Sequence, residues 1–201
     1  MHPISPFSVN CPTQIRFGAG SSGALGGVLS DVQTPIVLVQ GAGGVQSAGI
    51  LSALQKDGHD VRIVRQTYEP SIKSIHSALD TVSGLNIGAV IACGGGSVLD
   101  AGKTLAVLLE HDVRLPVDFT QIAPDVLGTR VSVQSIAVPT TAGTGAEVTA
   151  NAVLAVPSKG AKLSIRGQAL FPDVALVDPE LMQGAPSGVT LHSGLDAVTQ
   201  V

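Results

Sequence analysis

The sequence predicts an α/β fold: a doubly wound, mostly parallel sheet with helices on both faces, plus a β-hairpin. Two observations carry this prediction. Short aliphatic runs alternate with stretches of helical period, which is the pattern of right-handed β-α-β units. The composition agrees: 44% of the residues are hydrophobic but only 2% aromatic, with 24 glycines, as suits buried aliphatic strands under helices.

The elements follow in order. Ile15 to Phe17 read as a short strand, and Gly18-Ala19-Gly20-Ser21 breaks before a weak helix through Leu25 and Leu29. Ile36 to Val39 is an apolar strand, Gly41 to Gly44 a turn, and Val45 to Lys56 a helix with Ile50, Leu51 and Leu54 on its apolar face. Val61 to Val64 is the next strand, and Ser71 to Val82 a helix with Ile72, Ile75 and Leu79 on one stripe. Ala89 to Cys93 is a strand and Val98 to Leu109 the helix after it. Residues 111–130 are polar and proline-punctuated, and Ser135 to Pro139 is a further strand. Ala152 to Val156 and Leu163 to Ile165, joined by Pro157-Ser158-Lys159-Gly160, form the hairpin. Val174 to Val177 is a buried strand, and Asp178-Pro179-Glu180 starts a helix. Ser193-Gly194 reads as a helix entry, with Asp196 to Val201 as its first turns, so the chain is expected to be the N-terminal part of a longer protein.

Several ligand classes are excluded by composition. Eleven basic against fifteen acidic residues, with no Lys/Arg cluster, argue against a nucleic-acid groove or an anionic membrane surface. No apolar run approaches the roughly 18 residues that span a bilayer, and no secretory leader is evident. The two cysteines, Cys11 and Cys93, make no disulfide framework and fit a reducing cytoplasm.

The chemistry concentrates in three strand-to-loop passages at the carboxyl ends of strands, where ligands of such sheets bind. The first is Gly94-Gly95-Gly96-Ser97, followed by a helical stretch with Asp100 and Lys103. Glycines let the backbone approach a ligand, and the free N–H groups of a helix's first turn attract an anion, so a dinucleotide pyrophosphate is the natural candidate. A plain strand-to-helix turn would also use glycine. The second is Gly41 to Gly44. The third, PTTAGTGAEVT, brings the hydroxyls of Thr140, Thr141, Thr144 and Thr149 beside two glycines, as donors to a polyanion or ribose or as a turn capping a helix.

Asp196 and Gln200 stand i, i+4 on one helix face and could ligate a divalent metal. As a first-turn acid Asp196 would equally complement the helix dipole. His192 reads as a solvated residue ahead of that helix, and Lys162, in the hairpin, as a solvated lysine or a cofactor contact. No Ser/His/Asp or Cys/His arrangement is evident, so no catalytic side chain is assigned.

Together GGGSVLDAGK, PTTAGTGAEVT, FPDVALVDPELM at 171–182 and SGLDAVTQ at 193–200 resemble the iron-containing (group III) alcohol dehydrogenase family, over about residues 13–201 and in the family's order. The resemblance implies a dinucleotide-binding α/β domain (1–185) and the start of a helical metal-binding domain (186–201), whose remainder is essentially absent. It places Gly95, Gly96 and Ser97 on the pyrophosphate and Asp100 near the cofactor. Thr140, Thr141, Thr144 and Thr149 fall on the phosphates and nicotinamide ribose, and Lys162 and Leu181 on the adenosine side. Asp196 matches the first metal ligand. Gln200 stands where the family usually has histidine, and its neutral carbonyl is a weaker donor to Fe²⁺ or Zn²⁺. Gln40-Gly41-Ala42-Gly43 lacks the acidic residue common in NAD-preferring relatives, so both NAD and NADP are admitted.

The implied activity is a metal-dependent, NAD(P)-linked oxidoreductase interconverting an alcohol and an aldehyde or ketone, in the cytoplasm, on a small-molecule substrate and as a homo-oligomer. The alternatives are a dehydroquinate-synthase-like or glycerol-phosphate dehydrogenase relative, for whose phosphate-bearing substrates no basic residues stand around Asp196, or an NAD(P)-binding module without turnover.

Overall fold

The computed structural model describes residues 9–32, 35–116, 122, 124–128 and 133–200, so Val201 and most of the polar stretch 117–132 lie outside the described residues. The strands are β1 (Gln14–Phe17), β2 (Ile36–Gln40), β3 (Val61–Arg65), β4 (Ala89–Gly94), β5 (Gln134–Pro139), β6 (Asn151–Val156), β7 (Ala161–Arg166) and β8 (Val174–Val177). The helices are α1 (Leu25–Val28), α2 (Ala48–Lys56), α3 (Ile72–Thr81), α4 (Gly96–His111), α5 (Pro124–Gly128) and α6 (Ser187–Thr199). Six strands form one sheet in the order β1-β8-β5-β4-β2-β3, and every neighbouring pair is parallel. β6 and β7 pair separately as the antiparallel hairpin.

The sheet is covered on both faces because successive strand side chains point to opposite sides. Val37, Val39, Val90, Ala92 and Ala137 enter one core with Ile75 and Leu79 of α3 and Leu99 and Leu105 of α4. The alternating residues Ile36, Leu38, Ala89, Ile91, Cys93, Ile136 and Val138 enter the other, with Leu25, Leu29 and, from α2, Ile50 and Leu54. α4 lies closest to the sheet. A Cβ on Gly102 would stand 2.5 Å from the Ala92 Cβ, and one on Gly94 would stand 2.6 Å from the Val98 Cβ, so glycine is required at both positions for the helix to reach the strand. Among the described residues no helix is long and apolar enough to cross a membrane.

The strands and the hairpin fall where the sequence places them, and the differences lie at helix ends. α3 follows Ser71, which makes a reciprocal capping box with Ser74. α2 starts at Ala48 rather than Val45, because Gly44 is left-handed (φ 62°) and Ser47 Oγ donates to the Gly44 carbonyl (3.1 Å) and to Gln40 Oε1. α4 starts two residues early, at Gly96. The segment after Asp178 is a single 3-10 turn (Pro179–Met182) and not a longer helix.

The largest correction concerns the C-terminal helix. It begins at Ser187, directly after Pro186, and runs through Ser193-Gly194 instead of starting there. Asp196 is therefore in its last turn, where a carboxylate no longer complements the dipole's positive end, and His192 lies within the helix and not ahead of it. Neither Gly188 nor Gly194 breaks it. No residue of α6 is buried, and Leu191, Leu195 and Val198 are exposed.

Asp178 fastens the ends of β1 and β8. Its carboxylate, 1% exposed, accepts from the Gly20 and Ser22 amides (3.1 and 3.2 Å), the Ser22 hydroxyl (2.6 Å) and the Glu180 amide (3.0 Å). Burial pushes its pKa up, but these donors together outweigh burial and hold it below the ordinary value. A carboxyl with a depressed folded pKa stabilises the fold above its unfolded pKa and loses that contribution as pH falls through the folded value. Asp178→Asn is expected to cost about 1–3 kcal/mol at neutral pH and to flatten the loss of stability below about pH 4. Denaturant titrations between acid and neutral pH check both effects.

Candidate functional site

The carboxyl ends of β4 and β5 carry the predicted glycine turn and threonine loop. Gly95 ends the β4 turn in extended geometry (φ −77°, ψ −178°), and no side chain caps α4, which leaves its first-turn amides directed outward. A sixteen-residue helix with an uncapped N-terminus behind a buried parallel strand has the geometry for an oxyanion. Gly96 is closely overlain by the threonine loop. A Cβ there would lie 3.0 Å from Thr144 Cγ2, and one on Gly95 would lie 3.5 Å from Thr141.

The threonine loop is held to α4 and β4 from inside. The buried Thr140 donates its amide to the Gly94 carbonyl (3.0 Å), and Thr144 Oγ1 accepts from the Ala146 amide (3.2 Å). Lys103, 2% exposed, donates to the Ala146 carbonyl (2.8 Å), to Thr149 Oγ1 (3.2 Å) and to the Thr149 carbonyl (3.4 Å). It also pairs with Asp100 Oδ1 at 3.2 Å, while Asp100 Oδ2 accepts from the Val153 amide of β6 at 2.9 Å. Burial pushes the Asp100 carboxyl above its ordinary range although Lys103 and the Val153 amide draw it back, and burial lowers Lys103 against the pull of Asp100. The hydroxyl of Thr149 is thus engaged by protein, and the Asp100 carboxylate fixes the hairpin as well as facing the cleft.

One cleft of about 310 Å³ gathers Gly96, Ser97, Asp100, Thr144, Thr149, Asp196 and Gln200. Gly95, Thr140 and Thr141 are not among its lining residues, although Gly95 lies against Thr141. Glu69, in the loop after β3, also lines the cleft, and its Oε1 pairs with Lys162 Nζ at 2.9 Å, so Lys162 sits at the rim on an exposed ion pair. Leu181 does not join them. It lines a separate cavity of about 560 Å³ with Leu25, Val45 and Ile50, on the α1 and α2 side of the sheet. A larger cavity, about 770 Å³, lies between α5 and Arg166-Gly167-Gln168 and contains none of the predicted site residues.

α6 reaches the site through a close backbone approach: a Cβ on Gly143 would lie 2.6 Å from the Ser193 carbonyl oxygen. That contact brings Asp196 and Gln200, the residue capping the helix, over the threonine loop. Their oxygens suit a hard divalent cation as two members of a donor set, but the described residues hold no cluster of three or more His, Cys, Asp or Glu side chains that would complete one. Cys93, buried behind the glycine turn, has its thiol pushed up to about 12 by burial and is no nucleophile.

Sequence reasoning assigned no role to Lys103 or Glu69. The i, i+3 spacing of Asp100 and Lys103 on one helix was the available signal for the former. Nothing local marks Glu69, whose partner is 93 residues away. Lys103→Met is expected to destabilise the fold by about 3 kcal/mol or more, because it leaves Asp100 buried without its counter-charge. The double variant with Asp100→Asn should recover part of that loss, and a double-mutant cycle by urea denaturation checks it.

Residues 12–179 match the family described as iron-containing alcohol dehydrogenase. The chain is 32% identical over 147 residues to the 1-propanol dehydrogenase of Citrobacter freundii, covering 73% of this chain and 35% of that protein. It is 29% identical over 199 residues to the NADPH-dependent butanol dehydrogenase of Clostridium saccharobutylicum, covering 94% and 49%. The sulfoacetaldehyde reductase of Bifidobacterium kashiwanohense, solved in complex with NAD⁺, aligns with a TM-score of 0.82 at 26% identity over 98% of this chain and 52% of that one. The chain therefore spans from about a third to about half the length of these relatives. On the pattern that runs through residues 12–179, carried by a parallel sheet whose glycine turn and threonine loop share one cleft, this chain belongs to the iron-containing alcohol dehydrogenase family.

Proposed function

We propose that this chain is the dinucleotide-binding part of an NAD(P)-linked oxidoreductase that interconverts a small alcohol with its aldehyde or ketone by hydride transfer. The observation that carries the reading is the convergence, on one cleft, of the uncapped α4 N-terminus, the threonine loop and the α6 carboxylate. In this reading the Gly95, Gly96 and Ser97 backbone holds the pyrophosphate, and the hydroxyls of Thr140, Thr141 and Thr144 serve phosphate and ribose. Thr149 shapes the loop through Lys103, and Lys162 lies on the adenosine side once Glu69 yields it. Leu181, on the other side of the sheet, would reach the adenosine only through its neighbours.

The nicotinamide cofactor accepts or returns the hydride, and the chain's part is to orient it. A divalent cation, Fe²⁺ or Zn²⁺, would find two of its donors in Asp196 and Gln200 and would polarise the substrate oxygen. Residues 1–185 form the cofactor unit in this proposal and 186–201 the start of the metal-binding one. The setting is the cytoplasm, and self-association would run along the exposed edge strand β1, where Phe17 is 75% exposed.

The incomplete donor set favours a second reading, a module that binds NAD(P) without turnover. Calorimetric titration with NAD and NADP separates the two from a chain that binds neither. Gly96→Val, which drives a branched side chain into Thr144, is expected to weaken dinucleotide binding at least tenfold with the fold retained by circular dichroism. Metal-dependent alcohol oxidation by this chain alone would exclude the second reading, and binding of neither dinucleotide would exclude both.

A further inference from the structure

We infer that Arg65 binds the adenosine 2′-phosphate and makes this site prefer NADP(H) to NAD(H). The inference rests on the dinucleotide reading above and extends it to a specificity that reading leaves open. In the sheet register Gln40 stands opposite Cys93 on one side and opposite Arg65 on the other, so the ends of β4, β2 and β3 form a straight row. With strands about 4.8 Å apart, Arg65 is about 10 Å across the sheet from the end of β4. A pyrophosphate seated on the α4 N-terminus therefore has the end of β2 and the loop after it beneath its adenosine ribose, with Arg65 on the far side.

The chemistry of that loop is permissive to a second phosphate. Residues 40–46 read Gln-Gly-Ala-Gly-Gly-Val-Gln and contain no carboxylate. Gln40, the polar side chain at the end of β2, is buried, and its Oε1 is already engaged by the Ser47 hydroxyl. The space above Gly41 is open: a Cβ built there meets nothing within 4 Å. Arg65 is exposed and leans over the loop, its Nη1 donating to the Ala42 carbonyl at 2.9 Å. Among the described residues it has no acidic partner, whereas Arg62 pairs with Asp60 and Arg114 with Asp80. A guanidinium tethered by one N–H and free at the rest of its fork matches a phosphomonoester dianion, which accepts paired charge-assisted hydrogen bonds.

The test compares the dissociation constants of NADPH and NADH, read by nucleotide fluorescence, in the protein and in Arg65→Gln, Arg65→Lys and Gly41→Asp, with 2′-AMP and 5′-AMP as competitors. NADPH is expected to bind about tenfold tighter than NADH, and Arg65→Gln to abolish that difference while leaving NADH affinity unchanged. Arg65→Lys keeps the charge without the fork and should retain part of the preference. Gly41→Asp places a carboxylate against the phosphate and should reverse it, and 2′-AMP should compete better than 5′-AMP only where Arg65 is present. Equal affinities in the parent protein, or an equal loss of both dinucleotides in Arg65→Gln, overturns the assignment while leaving the dinucleotide site standing. Binding of neither dinucleotide overturns the dinucleotide site and the assignment together.

Discussion

The arrangement of the cleft depends on one buried ammonium group. Lys103 sits on α4, yet its donors are spent on the loop after β5 and its charge on Asp100, whose other oxygen holds β6. The Lys103–Asp100 pair thus ties α4 to the loop after β5 and to the β6 strand that follows it, more than forty residues along the chain. An ion pair this deeply buried is seldom a net source of stability over an apolar substitute, because desolvation consumes most of the Coulombic gain. Its value lies in direction. An apolar contact would let the threonine loop slide over α4, whereas hydrogen bonds to the Ala146 carbonyl and to Thr149 specify where Thr144 stands relative to Gly96.

Glycine does complementary work. At Gly94 and Gly102 the missing Cβ brings α4 against β4, and at Gly143 it brings α6 against the threonine loop. None of these positions has a left-handed backbone, since positive φ falls elsewhere, at Asp112 and at glycines such as Gly44 and Gly145. They are glycine for reasons of distance. Where the glycine turn meets the threonine loop, the lining of the cleft is consequently backbone and short hydroxyl side chains.

Much of this was legible in the sequence, and what was missed has a common cause. The buried strands were readable because aliphatic runs end abruptly in glycine or proline, and α3 because Ser71 caps an amphipathic stripe. The glycine turn, the threonine loop and Asp196 could be assigned to one site because each follows the carboxyl end of a parallel strand or matches a known order. The start of α6 was not legible: Ser193-Gly194 has the local chemistry of a helix entry, but Ser193 Oγ instead bonds back to the Val189 carbonyl (2.8 Å) and the helix continues through it. The Lys162–Glu69 pair and the separation of Leu181 from the cleft were equally invisible, because both are set by how distant segments cross and not by the residues around them.

α6 buries none of its side chains, and its Ser193 backbone approaches Gly143 of the threonine loop. The loop proposed to hold the dinucleotide is thus also the loop against which Asp196 and Gln200 are seated. Coupling between binding at that loop and binding at Asp196 is reciprocal: a ligand at one changes the affinity of the other by the same factor as the reverse. Cofactor and cation occupancy would then not be independent equilibria in this fold.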